Sequence, residues 1–170
     1  MKRLSAGQIS SLLFYRDKDM MGYKVPSSVL EAGSLVHARL GYNQPKLFMR
    51  FFLYKGEYWL ITGMPDKIDY ENGVVEELKT FHSEQVRKRQ EKAGKVQLNI
   101  YLFLTGLKKG KLCFYDMRKE EMVKIIDVEY DRQFLKRTLN TAIGLQKDIQ
   151  KFVDKYKKKR EGVINGKKQS

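Results

Sequence analysis

The sequence predicts an α/β fold, with a central mixed β-sheet flanked by helices. Three observations carry that prediction. Aromatic and β-branched runs that read as strands alternate with stretches of helical periodicity. Hairpin signals in the middle of the chain predict antiparallel pairs. A strand–helix–strand step through residues 74–117 predicts a parallel pair joined by a right-handed crossover. One sheet holding both kinds of pair is mixed, and helices on its faces are the economical packing. At 170 residues a single domain is expected, set at 1–161, with 162–170 as a basic flexible tail.

The elements come in order. Ser5 with Gln8 makes a capping-box pattern ahead of a first helix carrying Ile9, Leu12 and Leu13. Residues 17–27 read as a loop ending at Pro26. Ser28 and Glu31 offer a second capping box for a helix running to about Leu40. On that helix Leu30, Gly33, Ser34 and His37 share one face. Its small residues let the helix lie close to a sheet, with His37 pointing at it. Lys46–Tyr54 and Tyr58–Met64 read as strands joined by a hairpin at Lys55-Gly56-Glu57. Asn72-Gly73, between Ile68 and Val74-Val75, is a stronger hairpin signal, because a type I′ turn needs positive φ at both positions.

Ser83 to about Thr105 reads as a long helix, basic in its first half (Arg87, Lys88, Arg89, Lys92) and apolar in its second. Strands come next at about Lys111–Met117 and Met122–Tyr130. A last helix from near Asp131 carries an apolar stripe (Leu135, Leu139, Ala142, Ile149, Val153, Tyr156) suited to packing on the sheet. A lysine-rich run, Lys157-Lys158-Lys159-Arg160, succeeds it as a frayed basic end.

The charge narrows the function classes. A net +14, from 34 Lys+Arg against 20 Asp+Glu, predicts a polyanionic partner, nucleic acid ahead of an anionic membrane surface. The competing reading is a solvated lysine surface of the thermophile kind. The lone cysteine, Cys113, excludes an internal disulfide and a four-cysteine zinc or iron–sulfur site. Between Leu112 and Phe114 it reads as core. With no 18-residue apolar run and no signal-peptide pattern, a soluble, cytoplasmic protein with no membrane partner is expected.

The chemistry concentrates between residues 65 and 79. Pro65-Asp66 precedes Glu77-Leu78-Lys79, the only Glu-x-Lys or Asp-x-Lys in the chain. About ten intervening residues in a hairpin return the chain to where it left, so both carboxylates meet and can hold a divalent cation. Lys79 shares the face of Glu77 by the two-residue period of a strand, and Glu76 faces the other way. Gln97 and Tyr101, four apart, are neighbours on the next helix. Singly these signals are common: an exposed ion pair at a strand edge, a core histidine, an ordinary helical Gln/Tyr pair. His82, just past the strand, reads as an exposed loop residue.

In order along the chain stand a helical His37, Gly63-Met64-Pro65-Asp66, Glu77-Leu78-Lys79-Thr80 and Gln97-x-x-x-Tyr101. This series resembles the PD-(D/E)XK nuclease superfamily, and within it the RecB-type branch that includes CRISPR-associated RecB-like exonucleases. The resemblance spans about Leu30 to Leu107. It implies a restriction-endonuclease-like core (αβββαβ) and a metal-dependent deoxyribonuclease. Asp66 and Glu77 are the expected oxygen ligands of Mg2+ or Mn2+, with His37 and the peptide carbonyl of Leu78 as further ligands. Lys79 would orient or deprotonate the attacking water or stabilise developing charge, and Gln97 and Tyr101 would hydrogen-bond the water, Lys79 or the phosphate. Many relatives carry four cysteines that hold an iron–sulfur cluster. This chain has only Cys113, so no cluster is expected.

The expected substrate is DNA with free ends or single-stranded regions. The basic half of the long helix and the tail would track its backbone, and Tyr15, Tyr42 and Trp59 are candidates for base stacking. The alternative is a non-catalytic nucleic-acid-binding module on the same fold.

Overall fold

A computed structural model describes residues 2–14, 26–43 and 46–166, with side chains to residue 156. The order is β1 (Lys2–Ser5), α1 (Ala6–Phe14), α2 (Ser27–Arg39), β2 (Phe48–Tyr54), β3 (Glu57–Gly63), β4 (Lys67–Asp69), β5 (Val74–Phe81), α3 (Glu84–Thr105), β6 (Lys109–Asp116), β7 (Glu121–Glu129) and α4 (Arg132–Gly166).

Local chemistry explains most boundaries. The first capping box forms in full: Ser5 N–H donates to Gln8 Oε1 at 2.8 Å and Gln8 N–H to Ser5 Oγ at 3.1 Å. Ser83 Oγ accepts from Val86 N–H at the start of α3, and Asp131 Oδ1 accepts from Phe134 N–H at the start of α4. The second capping box does not form. Pro26 is the N-cap of α2, without a side-chain bond, and its carbonyl accepts from Val29 and Leu30. Ser28 already lies inside the helix. The loop expected at 17–27 falls mostly outside the described residues.

Two hairpins exchange their expected turns. Lys55 and Gly56 have φ of 47° and 79° between the paired Tyr54 and Glu57, so the turn with two positive φ angles lies here. Asn72 has no positive φ. The β4–β5 turn instead spans four residues from Asp69 to Val74, because Asp69 Oδ1 accepts from Asn72 N–H and Asp69 Oδ2 from Asn72 Nδ2.

The strands form two mixed sheets rather than one central sheet. The first has the order β1-β3-β2, with β1 parallel and β2 antiparallel to β3; the second has the order β4-β5-β6-β7, with β5 and β6 parallel. The division falls at Met64-Pro65-Asp66. Pro65 has no N–H to give to a ladder, and Asp66 enters the second sheet through its side chain, accepting Leu78 N–H at 2.8 Å. Strand β1 went unread because four residues with two charges leave little alternation to see.

Side-chain alternation along β5 sorts residues between two cores. Val75 and Phe81 join the main cluster beneath α1, α3 and the first half of α4, with Ile9, Ile61, Leu98, Phe114 and Leu139. Leu78 joins a smaller cluster with Val36, Tyr42, Cys113 and Tyr115 on the α2 side. Cys113 is buried as expected, but on the face opposite to Leu112 and Phe114. The apolar stripe of α4 is only half used. Leu135, Leu139 and Ala142 are buried, whereas Ile149, Val153 and Tyr156 are exposed because the helix outruns the sheet.

Helix α3 lies against β6 through two glycines. A Cβ on Gly94 would stand 2.6 Å from Leu112 Cδ1, and one on Gly110 would stand 2.9 Å from Leu98 Cγ. Replacing glycine by alanine commonly adds stability through the unfolded chain. For Gly110→Ala we expect the opposite, a loss of about 1–3 kcal/mol from overpacking. Chemical denaturation measures it, and a variant as stable as the parent would disprove the close packing.

Candidate active site

The alternation that splits the cores also directs Glu77 and Lys79 towards α3. Glu77 Oε1 accepts from Lys79 Nζ at 2.7 Å, and the same ammonium donates to Gln97 Oε1 at 2.6 Å. A chain of contacts thus joins β5 to α3. Asp66 reaches this group from the break between the sheets, where its Oδ2 is fixed by Leu78 N–H. His37 arrives from α2 on the other side, with Nδ1 3.6 Å from Asp66 Oδ1, an ion-pair rather than a hydrogen-bond distance. Helix α2 comes this near because Gly33 packs at the Thr80 hydroxyl, 3.2 Å from where a Cβ would stand. Leu30 and Ser34, expected on the same face, are exposed.

Tyr101 is buried beside Gly63, where a Cβ would lie 2.7 Å from Tyr101 Cε1. The glycine therefore makes room for the tyrosine ring at the end of β3, three residues before Asp66. Thus His37, Asp66, Glu77, Lys79, Gln97 and Tyr101 converge from α2, the sheet break, β5 and α3. Leu78 turns its side chain into the smaller core, 1% exposed. Its N–H points to Asp66, and the C=O of a strand residue projects to the same edge as its N–H.

The electrostatics are unbalanced. Burial pushes the Glu77 carboxyl above its ordinary range; the Lys79 ammonium opposes this and the nearby Asp66 carboxylate reinforces it. Burial, then the charges of Glu77 and Asp66, also raises the Tyr101 phenol. The Asp66 carboxylate raises the His37 imidazole against an opposing effect of burial. Glu77 Oε2 is buried with no hydrogen-bond partner. Nothing among the described residues answers Glu77 Oε2, and an orphaned buried oxygen is costly unless a cation meets it. Among the described residues no group of three His, Cys, Asp or Glu side chains forms a ready metal cage. The donor set still fits a hard cation such as magnesium, which typically takes one or two carboxylates and keeps several waters.

At the level of sequence, no family model and no curated protein matches the chain. Among solved structures it is similar to the protein described as SSO0001 (TM-score 0.64, 21% identity, 86% of this chain and 77% of that one). It is also similar to the alkaline exonuclease LHK-Exo from Laribacter hongkongensis (0.56, 10%, 95% and 94%) and to a phage-related exonuclease from Haemophilus somnus 129PT (0.51, 12%, 87% and 83%). The fold is similar to an exonuclease fold. At these identities the likeness speaks for architecture, and the chemistry rests on the side chains.

Several expectations meet corrections within this exonuclease-like fold. Trp59 and Tyr42 are 4% and 9% exposed, so neither can stack a base, and Tyr15 lies outside the described residues. Tyr42 instead bonds Glu76 on the face opposite Glu77, at 2.6 Å. His82 is exposed in the bend before α3, as expected. Gln90 was missed. Its Nε2 donates to the Thr80 carbonyl at 2.9 Å, pinning α3 to β5 one residue past Lys79. The signal was its place seven residues, two helical turns, before Gln97.

Glu77→Gln should stabilise the protein at neutral pH in chelator by about 1–3 kcal/mol. The amide oxygen keeps the Lys79 bond, the amide nitrogen can donate towards Asp66, and the buried charge is gone. Thermal melts in EDTA measure the shift, and a lower midpoint than the parent's would contradict the strained-carboxylate reading.

Proposed function

We propose that the chain is a metal-dependent nuclease that hydrolyses phosphodiester bonds of DNA, RecB-like in type, acting on ends or single-stranded regions. The observation that carries this reading is the orphaned, buried Glu77 oxygen beside Asp66, with Lys79 held between Glu77 and Gln97. Acid, acid and lysine with unequal environments are equipment for hydrolysis rather than for a surface ion pair. A bound Mg2+ or Mn2+ supplies water activation and charge neutralisation at the phosphate. Asp66, Glu77 and the Leu78 carbonyl would hold it, with His37 adding a nitrogen beside Asp66. One cysteine cannot supply the thiolates of an iron–sulfur cluster, so none is proposed.

The chain's own residues do the rest. Lys79 is pinned by two acceptors, so its ammonium is pre-organised to stabilise negative charge on the phosphate or to orient the water. Gln97 fixes that lysine, and Tyr101 closes the inner wall. Leu78 N–H keeps Asp66 from turning away. Lys88, Arg89 and Lys92 are exposed along α3 and would track the backbone without reading bases. Among the described residues no helix is long and apolar enough to cross a membrane.

Labelled single- and double-stranded DNA, incubated in magnesium, manganese or EDTA, tests the proposal. Asp66→Ala and Glu77→Ala should abolish cleavage and leave DNA binding intact or tighter, since a carboxylate facing phosphate repels it. Full cleavage by either variant would end the nuclease assignment in favour of a binding module. Lys79→Ala should still bind metal by calorimetry but lose about 10²–10³ in turnover. His37→Ala should weaken manganese binding and reduce activity less than loss of Asp66. Equal manganese affinity in variant and parent would leave His37 a packing residue.

A further inference from the structure

Away from the carboxylates, β1, β3 and α4 enclose a cavity of about 380 Å³ lined by Lys2, Arg3, Trp59, Lys147, Lys151 and Asp154, with Gln146 and Gln150 at its side. Four cations meet one acid in this lining. Lys2 and Lys147 are anchored from outside it by Glu57, at 2.7 and 2.8 Å, which fixes β1 and α4 to the start of β3. Arg3 is exposed and makes no ion pair among the described residues. Lys151 is 79% exposed, with only a 3.8 Å contact to Asp148. Trp59 is buried in the wall, its ring 5.8 Å from the Lys2 ammonium. A fixed wall with two spare cations is short of one thing, an anion with several acceptor oxygens.

We infer that this cavity is a second phosphate-binding subsite, which grips the backbone of a nucleic-acid strand at a distance from the cleavage site. Phosphate fits because its oxygens accept from guanidinium and ammonium alike. A backbone is favoured over a free ion because the cations continue along α4, where Lys155 lies one helical turn beyond Lys151. Six residues separate Trp59 from Asp66, and seven steps of even fully extended chain keep the two positions within about 23 Å, a span one strand can cover. The identity of the ligand rests on the nuclease reading; the anion site does not.

Trp59 is the chain's only tryptophan, so its emission reports on this wall alone. The experiment titrates the whole protein, in EDTA, with a short oligothymidylate, with thymidine monophosphate and with inorganic phosphate. Fluorescence anisotropy of a labelled oligonucleotide records binding independently. We expect Trp59 emission to change saturably with the oligonucleotide at the anisotropy midpoint. Combining Arg3→Ala with Lys151→Ala should remove most of that change and flatten the salt dependence of binding by about two contacts, each about 0.7–0.9 log units per tenfold salt. Both positions are exposed, and Lys2, Lys147 and Glu57 stay in place, so the variant keeps its fold. Oligonucleotide binding with unchanged emission would overturn the inference, as would an unchanged salt slope in the variant. A response to inorganic phosphate without one to the oligonucleotide would overturn the backbone assignment. No step requires cleavage. A protein that shows the response but cuts nothing keeps the subsite and loses the nuclease reading; one that cuts DNA without the response does the reverse.

Discussion

A buried carboxylate beside a second carboxylate is the constraint around which the middle of this protein is arranged. Glu77 sits in the face of β5 that otherwise carries Val75 and Phe81 into the main core. Ionised carboxylates avoid such places unless paired. Here the pairing is incomplete: Lys79 answers one oxygen, nothing answers the other, and Asp66 adds like charge from the sheet break. The surroundings hold this arrangement from several sides. Leu78 N–H clamps Asp66, Gln97 clamps Lys79, and Gln90 pins α3 to the backbone at Thr80. A buried carboxylate held this way costs stability unless a cation joins it.

The break between the two sheets arises from the same constraint. A continuous ladder through residues 64–66 would consume the Leu78 edge in strand pairing. Proline at 65 has no N–H to give to such a ladder, and the N–H of Leu78 donates to the Asp66 side chain instead. Gly63 and Gly33 then admit the tyrosine ring from α3 and the close approach of α2. Both glycines work by having no Cβ, from opposite sides of the sheet.

The spacing of Asp66, Glu77, Lys79, Gln97 and Tyr101 was legible because each lies on or beside a regular element, where periodicity fixes the face. His37 was legible for the same reason, although two of the residues expected to share its contact face are in solvent. What the sequence concealed depends on tertiary competition. The two turns exchanged character because Asp69 can bond Asn72 and so favours a four-residue turn, while Lys55 accepts a positive φ that pairing of Tyr54 with Glu57 imposes. Pro26 displaced the expected serine cap because it ends the preceding chain at the first helical turn. Trp59 and Tyr42 look like free aromatics in a strand and a loop. Only the packing of α4 over one face and of α2 over the other buries them.

Ion pairs take up part of the basic excess. Many acids of the described residues are committed: Glu57 to Lys2 and Lys147, Glu91 to Arg87, Lys95 and Lys124, Asp116 to Arg118. The pocket at the end of β6 illustrates the effect of such pairing, since Arg87, Arg118 and Lys124 line it but each already faces a carboxylate. A merely solvated surface would scatter the surplus evenly. Cations without an ion pair among the described residues are indeed scattered: they stand along α3 at Lys88, Arg89 and Lys92 and at the β1–α4 cavity at Arg3, and also at Arg50, Lys55, Lys108, Lys109, Lys111, Arg132, Lys136 and Arg137. Lys88 and Lys92, four apart on α3, are near enough to repel each other, whereas charges more than about 8 Å apart are largely screened at physiological salt. Under the proposed function a polyanion crossing the surface would gain from counterion release at each contact, and so scattered a surplus sets no single path for it.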